Sequence, residues 1–102
     1  MKTIDMNELK LLFNELILIL EKFGDRCSIN NQKRIIQETI NIIESDLDYE
    51  EKVVLIRREY SLLYPPRGGL TEFNIWRDDF EERKRVNEPF DKISNRLWDI
   101  FK

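Results

Sequence analysis

The 102-residue sequence predicts an all-α fold, a small bundle of four to five helices that forms one domain over residues 1–102. Apolar residues recur at the three- and four-residue spacing of amphipathic helices in successive segments. Asp-x-x-Glu sequences, a variant of the helix capping box, precede two of these segments. No pair of alternating apolar and polar runs supplies the partners that a sheet would need. These observations favour helices packed around a single core.

The first predicted helix covers residues 6–23. Asp5 and Glu8 form the capping-box variant at its start, and Gly24 supplies a stop after its last turn. The apolar run at 16–20 is too short to span a membrane. The residues expected to face the core are Leu9, Leu12, Phe13, Leu16, Ile19, Leu20 and Phe23.

The second predicted helix covers about residues 31–46. Ser28, Asn30 and Asn31 are alternative caps, because each side chain can accept a hydrogen bond from an amide of the first turn. The apolar residues with helical periodicity are Ile35, Ile36, Ile40, Ile43 and Leu47. This spacing indicates one buried face and one solvated face.

The third predicted helix begins after Asp48, which repeats the capping-box pattern with Glu51. Its apolar stripe consists of Tyr49, Val53, Ile56, Tyr60 and Leu63. The helix should end near Leu63, because two prolines follow and push the residues before them toward extended geometry.

The last predicted helix runs from a cap at Thr71 to the C-terminal residues. One helical phase includes Phe73, Trp76, Phe80, Arg83, Val86, Phe90, Ile93, Leu97 and Phe101. Pro89 interrupts this phase, and an interior proline costs ~3 kcal/mol. The helix is therefore expected to be kinked at Pro89, or split there with Asn87 or Glu88 as a new cap.

The segment YPPRGGLTEFNIW at 64–76 is the main candidate for a binding site. Its two glycines permit positive φ angles, and the consecutive amides beside Arg67 could form a small concavity for a carboxylate or phosphate. The alternative is a rigid helix connection in which Arg67 neutralises Asp78 or Asp79, or caps the carbonyls at the end of the third helix. The glycines lack the lysine and Ser/Thr spacing of a P-loop.

The next segment, WRDDFEERKR at 76–85, contains the densest acidic cluster. Asp78 and Glu82 lie four residues apart, as a pair of divalent-metal ligands could. Asp79 and Arg83 have the same spacing, which favours ion pairs on a solvated helix face. Because the chain has no histidine and no further clustered ligand, no metal or cofactor is predicted.

The composition excludes several classes of function. The net charge is −3, with 17 basic and 20 acidic residues, which argues against nucleic-acid binding. With no histidine and a lone Cys27, the chain lacks the residues of a Ser-His or Cys-His nucleophile and of an intrachain disulfide. We therefore expect a cytoplasmic protein that does not bind membranes.

Residues 63–98 resemble a small family of bacterial proteins with no established activity. The resemblance rests on Tyr64, Pro65, Pro66, Arg67, Gly68, Gly69, Trp76, Arg77, Asp78, Asp79 and Phe80. It implies a bacterial soluble protein and assigns no catalytic residue.

The leading functional hypothesis is a non-enzymatic protein-binding domain, of the immunity or antitoxin type, that contacts a basic toxin. The residues predicted to bind are Tyr64, Arg67, Gly68, Gly69, Trp76, Arg77, Asp78, Asp79 and Glu82. The acidic faces of the second and third helices are an alternative contact surface.

Two other hypotheses remain open. One is a small anion-binding enzyme or ligand sensor that uses Arg67, the glycine loop and Asp78 or Asp79 as a general base. The other is a homo-oligomeric module, such as a homodimer, that associates through the first helix and Trp98. Trp98 lies beside the apolar stripe of the last helix, so it should be partly exposed.

Overall fold

The computed structural model describes residues 4–23, 30–65, 70 and 77–101. Its helices are α1 (Met6–Phe23), α2 (Asn30–Glu44), α3 (Tyr49–Leu63) and α4 (Phe80–Phe101). The described residues contain no β-strand, so the all-α class is confirmed, with four helices in this part of the chain. None of the described helices combines the length and the apolar character that crossing a membrane requires.

Helix α1 begins as the sequence predicts. One carboxylate oxygen of Asp5 accepts hydrogen bonds from the amides of Asn7 at 2.9 Å and Glu8 at 3.2 Å, as an N-cap should. The carboxylate of Glu8 binds Arg96 of α4, with Nε–Oε2 at 2.6 Å and a second bond from the guanidinium at 2.8 Å. The residue expected to complete a local capping box therefore ties α1 to α4.

The core lies where the apolar stripes of the helices meet. Its buried apolar side chains are Ile4, Leu9, Phe13, Leu16, Leu20, Ile35, Ile36, Ile40, Ile43, Ile56, Leu63, Leu70, Phe90, Ile93, Leu97 and Phe101. Leu12 and Ile19 are only half-buried, although the spacing predicts them in the core. Leu11 and Leu18 are 65% and 62% exposed on the opposite side of α1.

Helices α1 and α2 are antiparallel neighbours joined by ion pairs near both ends. Lys10 lies 3.1 Å from Glu44, and Lys33 lies 4.0 Å from Glu21. Helix α2 already includes Asn30 and Asn31, so neither is the cap that precedes the helix, and the side chain of Asn31 accepts a hydrogen bond from Arg34 at 2.6 Å. The alternative cap Ser28 lies outside the described residues.

A short turn at residues 45–48 connects α2 to the antiparallel α3. Asp48 caps α3 by accepting the amide of Glu51 at 2.9 Å, which confirms this predicted start. Leu47 lies in the turn and is 38% exposed, so its predicted place on the buried stripe of α2 is wrong. The helix ends at residue 44, and the periodicity cannot continue through the turn.

Helix α4 contacts α3 through an aromatic cluster. The rings of Tyr60 and Phe101 are stacked with centroids 4.5 Å apart, and the rings of Tyr60 and Tyr64 are 5.2 Å apart. The guanidinium of Arg57 lies 5.7 Å from the centre of the Phe101 ring and donates a 3.0 Å hydrogen bond to the Phe101 carbonyl. These contacts attach the C-terminal turn of α4 to α3.

The start of α4 differs from the prediction. The sequence favours a helix from Thr71, whereas residues 77–79 are not helical and the helix begins at Phe80. The reason is a local cap, because Asp79 accepts the amide of Glu82 at 3.0 Å through its side chain and the amide of Arg83 at 2.9 Å through its carbonyl. Phe80 is 63% exposed instead of packed in the core.

Helix α4 continues through Pro89, so the structure has one helix where the sequence allowed a split. Asn87 does not cap a new helix, because it is buried and its side-chain amide donates to the carbonyl of Arg83 at 2.8 Å. Pro89 is exposed. A proline cannot supply the amide that the carbonyl of Arg85 would normally accept. The kink at Pro89 stays a prediction.

Candidate functional site

The residues that the sequence predicts to bind fall into two groups in the structure. Arg67, Gly68, Gly69 and Trp76 lie outside the described residues. Tyr64, Arg77, Asp78, Asp79 and Glu82 are described. The predicted juxtaposition of a guanidinium with two aspartates therefore stays a prediction, and the described members can be judged by their own contacts.

Tyr64 has a structural position at the end of α3. Its amide donates to the carbonyl of Tyr60 at 2.9 Å, and its hydroxyl shares a 2.8 Å hydrogen bond with the hydroxyl of Ser94 on α4. Burial raises the pKa of Tyr64 to about 12, so the phenol stays neutral at ordinary pH. The contacts of this side chain join α3 to α4, and its hydroxyl is already committed to Ser94.

The charged residues at the start of α4 form a local network. The side chain of Asp79 caps the helix, which is a structural role for a residue considered as a general base. The guanidinium Nε of Arg77 lies 3.6 Å from a carboxylate oxygen of Glu82. Asp78 is exposed. Among the described residues, no three His, Cys, Asp or Glu side chains are grouped closely enough to hold a metal ion.

A second charged region, which we call the acidic turn, covers residues 44–51. It contains five carboxylates, and all of them belong to exposed residues: Glu44, Asp46, Asp48, Glu50 and Glu51. The nearest lysine along the chain, Lys52, donates a 2.8 Å hydrogen bond from Nζ to the carbonyl of Ile43. The acidic turn therefore carries negative charge that nearby lysines neutralise only in part.

The acidic turn also exposes apolar surface. Leu47 and Tyr49 are 38% and 41% exposed. The hydroxyl of Tyr49 accepts a 2.6 Å hydrogen bond from the amide of Ile4, which holds the residues before α1 against the start of α3. An aromatic ring fixed at its hydroxyl end and flanked in sequence by carboxylates is suited to contact a cationic side chain.

The outward side of α3 carries a further surface, which we call the α3 outer face. It consists of Glu51, Val54, Leu55, Arg58 and Leu62, which share one side of the helix by their spacing. Val54 and Leu62 are 67% and 55% exposed. A shallow cavity of about 350 Å³ lies at one end of this face, lined by Glu50, Glu51, Val54 and Leu55.

The carboxyl group of Glu59, on the side of α3 that faces α2, lies in an environment that disfavours its charged form. Burial raises its pKa, Glu38 raises it further, and Arg58 and Arg34 act in the opposite direction. One of its carboxylate oxygens is buried without a hydrogen-bond partner in the described part of the chain. The charged form of Glu59 is thus disfavoured by the fold.

Sequence reasoning underestimated the acidic turn and missed the α3 outer face. The turn has a visible signal, five carboxylates within eight residues, but the cluster after Trp76 is denser. The outer face has a weaker signal, because Val54 and Leu62 fall off the predicted apolar stripe of α3. Such off-stripe apolar residues become informative once the structure shows which side of the helix is covered.

No family model, curated protein sequence or solved structure matches this chain. The resemblance of residues 63–98 to a bacterial family therefore stays a prediction.

Proposed function

We propose that this chain is a non-enzymatic binding domain whose acidic turn contacts a basic segment of another protein. The observation that carries the proposal is the combination of exposed carboxylates with the exposed side chains of Leu47 and Tyr49. Negative charge accelerates and orients the approach of a basic partner. Tyrosine is among the residue types that dominate binding energy, and Leu47 adds apolar area beside it.

The charge of the acidic turn is available to a partner. Lys10 is paired with Glu44, and Lys52 is bonded to a backbone carbonyl. Asp48 is occupied in capping α3. The carboxylates of Asp46 and Glu50 remain exposed, with no ion pair to another described residue. A partner that brings lysine or arginine to these groups would gain attraction without displacing an existing salt bridge.

The acidic turn is also held in shape by local bonds. The hydroxyl of Ser45 donates to the carbonyl of Ile42 at 2.6 Å, Asp48 caps the next helix, and Tyr49 is anchored to Ile4. A surface that is already ordered loses little conformational freedom on binding. This favours a preformed contact surface over a segment that folds on its partner.

An immunity or antitoxin type of protein fits this proposal, since such a protein would neutralise a basic toxin by covering its cationic surface. The cytoplasm of a bacterium is the setting we propose. The alternative of an anion-binding enzyme or sensor depends on Arg67 and the glycine loop, which lie outside the described residues. The described residues add no observation in its favour.

The test is affinity capture from the native host with three immobilised baits, followed by mass spectrometry. The baits are the wild-type chain, an Asp46→Lys/Glu50→Lys variant of the acidic turn, and a control with the same charge change on α4, Glu88→Lys/Asp91→Lys. We expect a basic protein that the wild type and the control retain and the turn variant loses.

Binding of the captured protein should then weaken as salt is raised, because the attraction is electrostatic. Titration of the purified partner against the three chains gives the affinities directly. Retention of the same protein by the turn variant, or capture of an acidic partner that is insensitive to salt, would contradict the proposal.

A further inference from the structure

The α3 outer face has an arrangement of charge that the acidic turn lacks. It carries one acidic and one basic side chain, Glu51 and Arg58, and neither forms an ion pair with another described residue. They are seven residues apart, so they lie ~10.5 Å apart along the same side of the helix. Between them lie Val54 and Leu55, at the midpoint of the interval.

This sequence of acidic, apolar and basic side chains along the helix is complementary to a second copy of itself. If a second α3 runs antiparallel to the first, with a two-fold axis passing between Val54 and Leu55, then Glu51 of each chain faces Arg58 of the other. The apolar pair lies at the axis between two symmetric ion pairs. We propose that the α3 outer face binds a second copy of this chain in an antiparallel, two-fold symmetric dimer.

The shape of the face supports the same pairing. Val54 is 67% exposed and forms one wall of the shallow cavity, whose other lining residues are Glu50, Glu51 and Leu55. In a two-fold pair, Val54 of each chain can enter the cavity of the other, as knobs enter holes between packed helices.

A second copy fits this face better than a basic partner does, because a basic segment laid along it would meet Arg58 as well as Glu51. On α1, Glu15 and Lys22 flank Leu18 with the same seven-residue spacing, but Lys22 already interacts with another residue of the chain. The side chain of Trp98 is 61% exposed on a different helix. Because Glu51 and Arg58 form no ion pair with another described residue, the α3 outer face is the surface that gains most from a second copy.

The contact should be weak. One helix face on each side falls below the ~1,200 Å² at which stable interfaces usually begin, so the dissociation constant should lie in the micromolar range. Glu51 belongs to both surfaces. Asp46, Leu47 and Tyr49, which carry the partner site, lie outside the α3 outer face, so either proposal can fail without the other. The two turns lie at opposite ends of the contact, and α3 is 15 residues, or about 22 Å, long.

Sedimentation equilibrium over a range of concentrations tests the proposal with a charge-swap cycle. The average mass of the wild type should rise from 12.4 kDa toward twice that value. Arg58→Glu and Glu51→Arg should each weaken association at least about tenfold, because each creates two like-charge contacts. The double variant should recover to within a few-fold of the wild type. Lys92→Glu, an equal charge change on α4, should have no effect.

Circular dichroism confirms that each variant is folded. A second measurement does not depend on the charge variants: in a Cys27→Ser background, Val54→Cys should form an intermolecular disulfide faster than Leu11→Cys. A mass that stays at 12.4 kDa up to about 1 mM, beyond the micromolar range expected of a small interface, would overturn the proposal. So would single variants that still associate, a double variant that fails to recover, or faster crosslinking at Leu11→Cys.

Discussion

The hydrogen bond between Tyr64 and Ser94 offers a direct test of the role that the structure gives to Tyr64. The sequence places this residue in a binding loop, whereas the structure directs its hydroxyl to Ser94 at 2.8 Å between α3 and α4. If the contact is structural, Tyr64→Phe should destabilise the fold and leave partner binding unchanged. The substitution removes one oxygen and keeps the ring that packs near Tyr60.

The magnitude follows from the hydrogen bond itself. A net intramolecular bond contributes about 1 kcal/mol, and leaving the Ser94 hydroxyl without its partner adds to the cost, so we expect a loss of about 1–2 kcal/mol. For a domain near 100 residues, 1 kcal/mol corresponds to a shift in Tm of roughly 5 °C. Chemical denaturation of Tyr64→Phe, Ser94→Ala and the double variant measures the pairwise term, which should be about 1 kcal/mol.

The ionisation of Tyr64 gives a second signature. Its folded pKa is raised to about 12 from 10.0. A raised pKa of a phenol means that the neutral form contributes stability that is fully present below pH 10.0 and is lost as pH rises toward 12. Between pH 10.0 and about 12, the free energy of unfolding should therefore fall less for Tyr64→Phe than for the wild type.

Tyr49→Phe is a control for the double-variant measurement, because the hydroxyl of Tyr49 bonds to the amide of Ile4 and not to Ser94. Its effect on the free energy of unfolding should therefore add to that of Ser94→Ala. Additive effects of Tyr64→Phe and Ser94→Ala would refute the reasoning. A destabilisation by Tyr64→Phe of less than about 0.3 kcal/mol, well below a normal hydrogen bond, would do the same.

Four further predictions concern single side chains. Glu59→Gln should stabilise the protein by less than about 1 kcal/mol at neutral pH, because it removes the charge of a partly exposed carboxylate that has one buried oxygen without a hydrogen-bond partner among the described residues. Because the folded pKa of Glu59 is raised above 4.5, this gain should vanish as pH falls below 4.5 in a Tm series. Glu8→Gln should lower Tm at neutral pH, and the difference should disappear in acid, since Arg96 lowers the pKa of Glu8 and the stabilisation is lost as pH falls through that value. Asp79→Ala should cost about 1 kcal/mol in urea unfolding and reduce the protection of the first amides of α4 from hydrogen exchange. Pro89→Ala should stabilise α4 by roughly 1–3 kcal/mol, and residual dipolar couplings should show a straighter helix if the predicted kink exists.

Caps and periodicity explain how much of the fold could be predicted. The starts of α1 and α3 could be predicted from Asp5 and Asp48. A capping side chain accepts amides only two or three residues further along the chain, so the contact is local and visible in the sequence. Asp79 and Glu82 carry the same pattern, and the structure uses it. The prediction placed the start too early because apolar residues before the cap happen to share the helical phase of those after it.

Burial was less predictable than helicity, since periodicity describes one helix and burial depends on its neighbours. Phe80 falls in phase with the core residues of α4 and is nevertheless 63% exposed. The bond between Glu8 and Arg96 spans most of the chain, and nothing in the local sequence around either residue indicates it. Long-range contacts of this kind decide which polar residues are used in the fold and which remain for a partner.

The two proposed surfaces differ in symmetry, and this determines how they could act together. A face that carries Glu51 and Arg58 at symmetric positions can satisfy itself, whereas the carboxylates of Asp46 and Glu50 in the acidic turn call for a different, basic molecule. Dimerisation through the first would display two copies of the second on one particle. A partner with two basic sites at a matching distance would then bind more tightly than one site allows, without any additional contact. Weak association of the α3 outer face would in that case be stabilised by the partner itself, because each bound bivalent partner holds two chains at high local concentration.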